Sequence, residues 1–148
     1  MNFITATVVS LFISLTTAAQ CNEANSIVNV SKRKTGRTEF VIFTIKKPST
    51  VLTAVENVTP PFTEDPSGNT VAIGGCKYKK VRFKNVAWQC RIPLQITTGS
   101  YLVNSIKKTS QFEGIIEFII GYKCNTTSVE TYSYTEGDYK KFVVRFKY

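Results

Sequence analysis

The feature that most limits what this chain can fold into is a succession of short, strand-like runs with turn signals between them. "TEFVIFTIK" (38–46), "KYKKVRFKNV" (77–86), "FEGIIEFIIGY" (112–122) and "KKFVVRFKY" (140–148) are rich in Val, Ile, Phe, Thr and Tyr. They either alternate apolar with polar residues or are apolar throughout, and no stretch gives a convincing helical period. Between the runs lie "PPFTEDPSGN" (60–69) and Gly74-Gly75, composed of residues that turn or interrupt a chain. The pattern predicts an all-β fold, an antiparallel β-sandwich or a partly closed barrel of about ten short strands.

Individual runs carry finer expectations. "TEFVIFTIK" is apolar on both faces, so residues 40–45 are expected to be buried on both faces of a central strand. "TVLTAVENV" (50–58) is the one serious helix candidate, but its Val and Thr content between Pro48 and Pro60 argues for strand. In 77–86, Lys77, Lys79, Val81 and Phe83 point one way and Tyr78, Lys80, Arg82 and Lys84 the other. "CRIPLQI" (90–96) alternates Cys90, Ile92, Leu94 and Ile96 on one face, and its Pro93 implies an edge or a bulge. Residues 111–123 read as one long apolar strand with Gly114 as a bulge. In the last run Phe142, Val144 and Phe146 oppose Lys141, Val143, Arg145 and Lys147. The expected core is Phe40, Ile42, Val81, Phe83, Ile115, Phe118, Phe142, Val144 and Phe146.

The first residues, "MNFITATVVSLFISLTTAAQC", carry no charge, and an apolar run from Phe3 to Leu15 ends in Thr17, Ala18 and Ala19. This is the layout of a secretory signal peptide, residues 1–19, ahead of a single extracellular domain, residues 20–148. A lipid on Cys21 would need a small residue where Gln20 stands. The later apolar stretch "GIIEFIIGY" is interrupted by Glu117, so no transmembrane span is expected. Four cysteines remain after cleavage, Cys21, Cys76, Cys90 and Cys124, and an even number in a small secreted domain implies disulfides. Three connectivities are open, and Cys76–Cys90 with Cys21–Cys124 is favoured here. Asn29, Asn57 and Asn125 head N-x-S/T sequons and are candidate glycosylation sites.

The order of four motifs resembles the AMIN-like domain, a family of secreted or lipid-anchored proteins. Residues Arg37 to Ile45 resemble its first core strand, "EDPSGNTVAIGG" (64–75) its acidic-glycine turn, "FEGIIEFIIGY" (112–122) its Phe-Glu-Gly segment, and "FVVRF" (142–146) its final strand. Arg145 stands near where that family usually has Asp, and the cysteines have no counterpart in its pattern. The resemblance implies a sandwich-like domain outside the cytoplasm and carries no enzymatic activity with it.

Charge and chemistry narrow the function. The chain has 19 Lys and Arg against 10 Asp and Glu, a formal charge of +9, which favours anionic partners. It has no histidine and no C-x-x-C pair, which removes histidine-dependent nucleophilic catalysis and the common zinc sites. If Glu113 and Glu117 shared a strand face they would stand ~13 Å apart, too far for a glycosidase pair. No cofactor or metal is expected. The tyrosines of "ETYSYTEGDY" and Trp88 could stack on sugar rings, with packing the simpler reading of Trp88. The expectation is a non-enzymatic secreted binding module for an anionic polysaccharide or cell-envelope or surface component, not for nucleic acid. Its anion-binding residues would be Lys80, Arg82, Lys84, Lys141, Arg145 and Lys147, forming one patch if their two strands share a sheet. The alternative is a protein-binding or inhibitory domain acting through loops such as 60–69.

Overall fold

A computed structural model describes residues 21–90, 95–97 and 101–148. The expected leader (1–19) and the Ile92-Pro93-Leu94 segment lie outside the described residues. Within them the chain is all-β: β1 (Ser26–Thr35), β2 (Thr38–Lys46), β3 (Leu52–Val58), β4 (Phe62–Glu64), β5 (Asn69–Val71), β6 (Lys77–Lys84), β7 (Gln95–Thr97), β8 (Val103–Phe112), β9 (Ile115–Tyr122), β10 (Ser128–Glu136) and β11 (Tyr139–Lys147). Sheet A has the order β1-β2-β11-β10, sheet B the order β3-β6-β9-β8-β7, and β4-β5 form a separate hairpin. All paired strands are antiparallel. The two sheets pack face to face as a sandwich, and among the described residues no barrel closes.

Period-two alternation sorts the side chains. Val41, Phe43 and Ile45 of β2, Val144 and Phe146 of β11, Val81 and Phe83 of β6, and Ile116, Phe118 and Ile120 of β9 meet in one core. Phe43 touches Phe83 and Phe118 at ring-centroid distances of 5.0 and 5.1 Å. Each such buried side chain contributes ~1.5–3 kcal/mol relative to exposure. Five expected core residues, Val81, Phe83, Phe118, Val144 and Phe146, are buried there, and Phe142 packs on the rim. Phe40, Ile42 and Ile115 are only half-buried. Phe40 and Ile42 point to the outer face of sheet A, so residues 40–45 are fully covered on one face only. Thr44 is the outward residue that is buried.

Two local expectations are corrected. Residues 111–123 are two strands: Phe112 pairs with Ile115, and Glu113 (φ 47°) with Gly114 (φ 75°) makes the tight turn between β8 and β9. Glu113 and Glu117 therefore share no strand. Residues 60–69 are not a free loop, because Phe62 pairs with Val71 in the β4–β5 hairpin. That hairpin lies on the outer face of sheet B, where Phe62, Ile73 and Ile119 form a second, smaller core with Val58, Val71 and Tyr78.

Behind it the chain passes flat against β9. A Cβ at Gly121 would collide with the Gly74 carbonyl oxygen, and one at Gly75 would lie 2.8 Å from the Gly121 Cα. Glycine at 75 and 121 permits that approach.

The disulfides are Cys21–Cys90 and Cys76–Cys124, with Cα separations of 5.4 and 5.3 Å. The expected Cys76–Cys90 and Cys21–Cys124 pairing is overturned, and the topology explains why. After Cys76, β6 runs ~26 Å away along the sandwich, carrying Cys90 to the other end. Because Lys77 pairs with Tyr122 across β6 and β9, Cys76 meets Cys124 instead. Cys90 donates its backbone N–H to Ile27 at 2.8 Å, which places it beside the chain entering β1 and hence beside Cys21.

Candidate anion-binding surface

The hairpin joining β1 to β2 reads "KRKTGRT" (32–38). Thr35 pairs with Thr38, leaving Gly36 and Arg37 as the loop. Gly36 has φ 58°, the conformation that the first residue of a type II′ turn requires. Around this turn stand Lys32, Arg33, Lys34 and Arg37. Among the described residues none of these four has a carboxylate within salt-bridge distance. Arg33 lies on the outer face of sheet A opposite Phe40, while Lys32 and Lys34 project from the other side of β1. Since β1 is the sheet edge, positive charge wraps around a rim of the sandwich.

Two tyrosines back this rim. The Lys34 ammonium lies 4.7 Å from the centroid of the Tyr101 ring, and the Arg37 guanidinium 5.6 Å from that of Tyr148. The two rings are 5.7 Å apart. Tyr101 is held by an unexpected group. Glu39 of β2 is fully buried, and its carboxylate accepts the backbone N–H groups of Tyr101, Leu102 and Val103 at 2.8, 3.1 and 2.7 Å. Three charge-assisted hydrogen bonds compensate the burial of that carboxylate.

The cations expected to bind anions are placed differently. Lys80, Arg82 and Lys84 are on β6 of sheet B, whereas Lys141, Arg145 and Lys147 are on β11 of sheet A, so they do not form one patch. Most are also already matched with carboxylates. Arg82 Nε donates to Glu117 at 2.5 Å, and Lys80 lies 3.4 Å from Glu56 and 3.9 Å from Glu117. The hydrogen bond to Glu117 and its charge raise the pKa of Arg82. On sheet A, Glu130 accepts from Lys147 at 2.8 Å and from Arg145, and these bonds hold its carboxyl at about 2. Lys141 donates to Thr44 Oγ1 at 3.1 Å and faces Glu136 at 3.6 Å. Lys84 alone of the six is exposed with no carboxylate partner among the described residues.

Other candidates fall as follows. Asn29, Asn57 and Asn125 are all exposed. Asn29 lies on β1 and Asn57 on β3, the edge strands of their sheets. Trp88, expected to pack, is instead exposed at 38%, and its carbonyl accepts the Ile27 N–H at 2.9 Å. Tyr132 and Tyr134 stack on the outer face of β10 with centroids 6.4 Å apart. Among the described residues no cluster of three or more Cys, Asp or Glu could hold a metal, and no helix is long and apolar enough to cross a membrane.

The rim at 32–37 was available in the sequence as four cations around Thr-Gly with no acidic residue between them. What hid it was the stronger alternation of 77–84, whose cations find their partners only across neighbouring strands. No family model matches this chain, and neither does any curated protein or solved structure.

Proposed function

We propose that this chain is a non-enzymatic, secreted binding module that docks on an anionic polysaccharide or a comparable cell-envelope or cell-surface polymer. The contacts are made by the β1–β2 rim, Lys32, Arg33, Lys34 and Arg37, with Tyr101 and Tyr148 behind it. One observation carries the proposal: among the described residues these cations have no carboxylate partners, whereas those of β6 and β11 largely do. Free cations keep their field for a ligand, and aromatic rings beside them suit a sugar chain. The disulfides fit an oxidising compartment, and the uncharged leader supplies a route to it. Assignment as a non-enzyme rests on a sequence without histidine and on six of the ten carboxylates. Glu39 is committed to backbone amides, and Glu56, Glu117, Glu130, Glu136 and Asp138 each face a cation.

The test is retention on a sulfated-polysaccharide column. Changing Arg33, Lys34 and Arg37 to Ser should lower the eluting salt concentration markedly. Changing Lys80, Arg82 and Lys84 to Ser removes the same charge and should lower it much less. Equal losses would mean that net charge alone governs retention and would defeat the assignment to the rim.

A second reading, protein recognition through loops, has one observation in its favour. Phe112 at the β8–β9 turn is 65% exposed and borders a cavity of about 410 Å³ with Asp65, Pro66 and Gln111.

A further inference from the structure

Among the described residues, three of the four edges of sheets A and B carry features that discourage pairing with another chain. β1 has a register shift between Ile27 and Asn29 and bears Lys32, Arg33 and Lys34. β3 bears Glu56 and the Asn57 sequon, and β7 is only three residues long. Bulges, charge and shortness are the ordinary means of blunting an edge. β10 has no bulge, no lysine and no sequon, and its two carboxylates, Glu130 and Glu136, are each matched by a cation of β11. It spans nine residues, pairs with β11 in unbroken register from Ser128 to Glu136, and contains neither Lys nor Pro. Among the described residues no strand pairs with its other side, and every residue from Thr131 to Glu136 is exposed.

The sequence of this open edge is Glu130-Thr131-Tyr132-Ser133-Tyr134-Thr135-Glu136, which reads the same in both directions. Antiparallel pairing of a strand with its own copy matches residues symmetrically about a centre. With Ser133 at that centre, Tyr132 faces Tyr134, Thr131 faces Thr135 and Ser133 faces itself, on both sides of a two-fold axis. Aromatic and threonine pairs are favourable cross-strand neighbours. The outer pair, Glu130 against Glu136, sets like charges opposite each other. Each is offset within its own subunit, Glu130 by Lys147 and Arg145, Glu136 by Lys141 at 3.6 Å. Tyr132 and Tyr134 lie on the outer face in both copies, so the two sheets A would continue into each other with matching faces.

We propose that the partner of β10 is a second copy of this chain, joined edge to edge in an antiparallel β10–β10 pair centred on Ser133. The resulting sheet runs β1-β2-β11-β10 and back through the second copy, and it ends on both sides in a blunted β1. An interface of this symmetry closes on itself, so assembly stops at the dimer.

Sedimentation equilibrium of the full chain with its disulfides formed tests this, and it uses no ligand, so the result is independent of the anion-binding proposal. The mass should rise with concentration from one chain to two and no further. Tyr132→Lys with Tyr134→Lys places cations opposite each other and should keep the chain monomeric, with an unchanged circular dichroism spectrum. Ser133→Asp, which sets two carboxylates against each other on the axis, should do the same if the double variant does not fold. Register is checked by oxidation. Ser133→Cys should cross-link to its own copy, whereas Thr131→Cys, whose counterpart lies ~13 Å away, should not. A wild-type chain that stays monomeric, growth beyond two, self-association unaffected by these charges, or cross-linking at 131 in preference to 133 would each overturn the proposal.

Discussion

On the outer face of sheet B, Ile119 lies beneath Phe62 and Ile73 and is 3% exposed. On the outer face of sheet A, Ile42 and Phe40 have no hairpin above them and are half-buried among Arg33, Val143 and Arg145. Both faces belong to strands with apolar residues on their outward side. The difference is what the chain places over them. The β4–β5 hairpin and the Gly74-Gly75 segment give sheet B a second layer, fastened by Cys76–Cys124. Sheet A keeps a single layer and an open margin at β10. Cover from another segment thus gathers outward apolar residues into a second core, whereas on the uncovered face Phe40 and Ile42 stay half-buried, although Val143, on the strand between β2 and β10, is 1% exposed.

The sharpest way to break the comparison is to keep the second layer from seating. Gly121→Ala introduces a Cβ that meets the Gly74 carbonyl oxygen and comes within 3.3 Å of Ile73 Cγ2. Because the obstacle is backbone, the cost should exceed ~3 kcal/mol, the upper end of ordinary overpacking. Urea unfolding measures it, and a loss below ~1 kcal/mol would show that the segment rides free of β9.

Next in size is a matched pair of truncations. Phe62→Ala empties the second core and removes an edge-to-face contact with Tyr78 at 4.8 Å. It should cost ~3 kcal/mol, against ~1 kcal/mol or less for Ile42→Ala on the uncovered face. Equal losses would mean that the two faces are energetically alike and that the hairpin adds no core.

The smallest effect concerns charge on sheet A. Hydrogen bonds from Lys147 and Arg145 lower the Glu130 carboxyl from 4.5 to about 2. Its contribution is therefore present above pH 4.5 and is lost as the pH falls from there towards 2. Glu130→Gln removes a contribution that exists only while the carboxylate is charged, so it should lower stability slightly at neutral pH, leave the strongly acid end little changed and so flatten the acid limb between them. An acid limb as steep as that of the parent would show that Glu130 is not held by those bonds.

Much of the fold was legible because alternation is local. Val81 and Phe83 against Lys80 and Arg82, and Phe142, Val144 and Phe146 against Lys141 and Arg145, fix which side of each strand faces the core. What could not be read depended on pairing between distant segments. The alternation of β6 and β11 does not reveal that they belong to different sheets. Cysteine spacing made 76 and 90 look like neighbours, although a strand separates them along the length of the sandwich. Glu117 and Glu56 neutralise β6 from strands on either side of it, so a row of cations in sequence became a balanced face in space. The two-residue β8–β9 turn was hidden because Ile115 and Ile116 follow Gly114 at once, and a strand with a bulge reads almost identically.

Glu39 bears on the molecule's motions. The amides of Tyr101 and Leu102 precede β8 and would ordinarily exchange their hydrogens as loop amides do. Their acceptor is a buried carboxylate on the central strand β2. Releasing them requires that carboxylate to lose its partners inside the sandwich, where water cannot readily replace them. In deuterium exchange these two positions should behave with the interior of sheet A rather than with the surface, and their slow exchange would report directly on how often the two layers part.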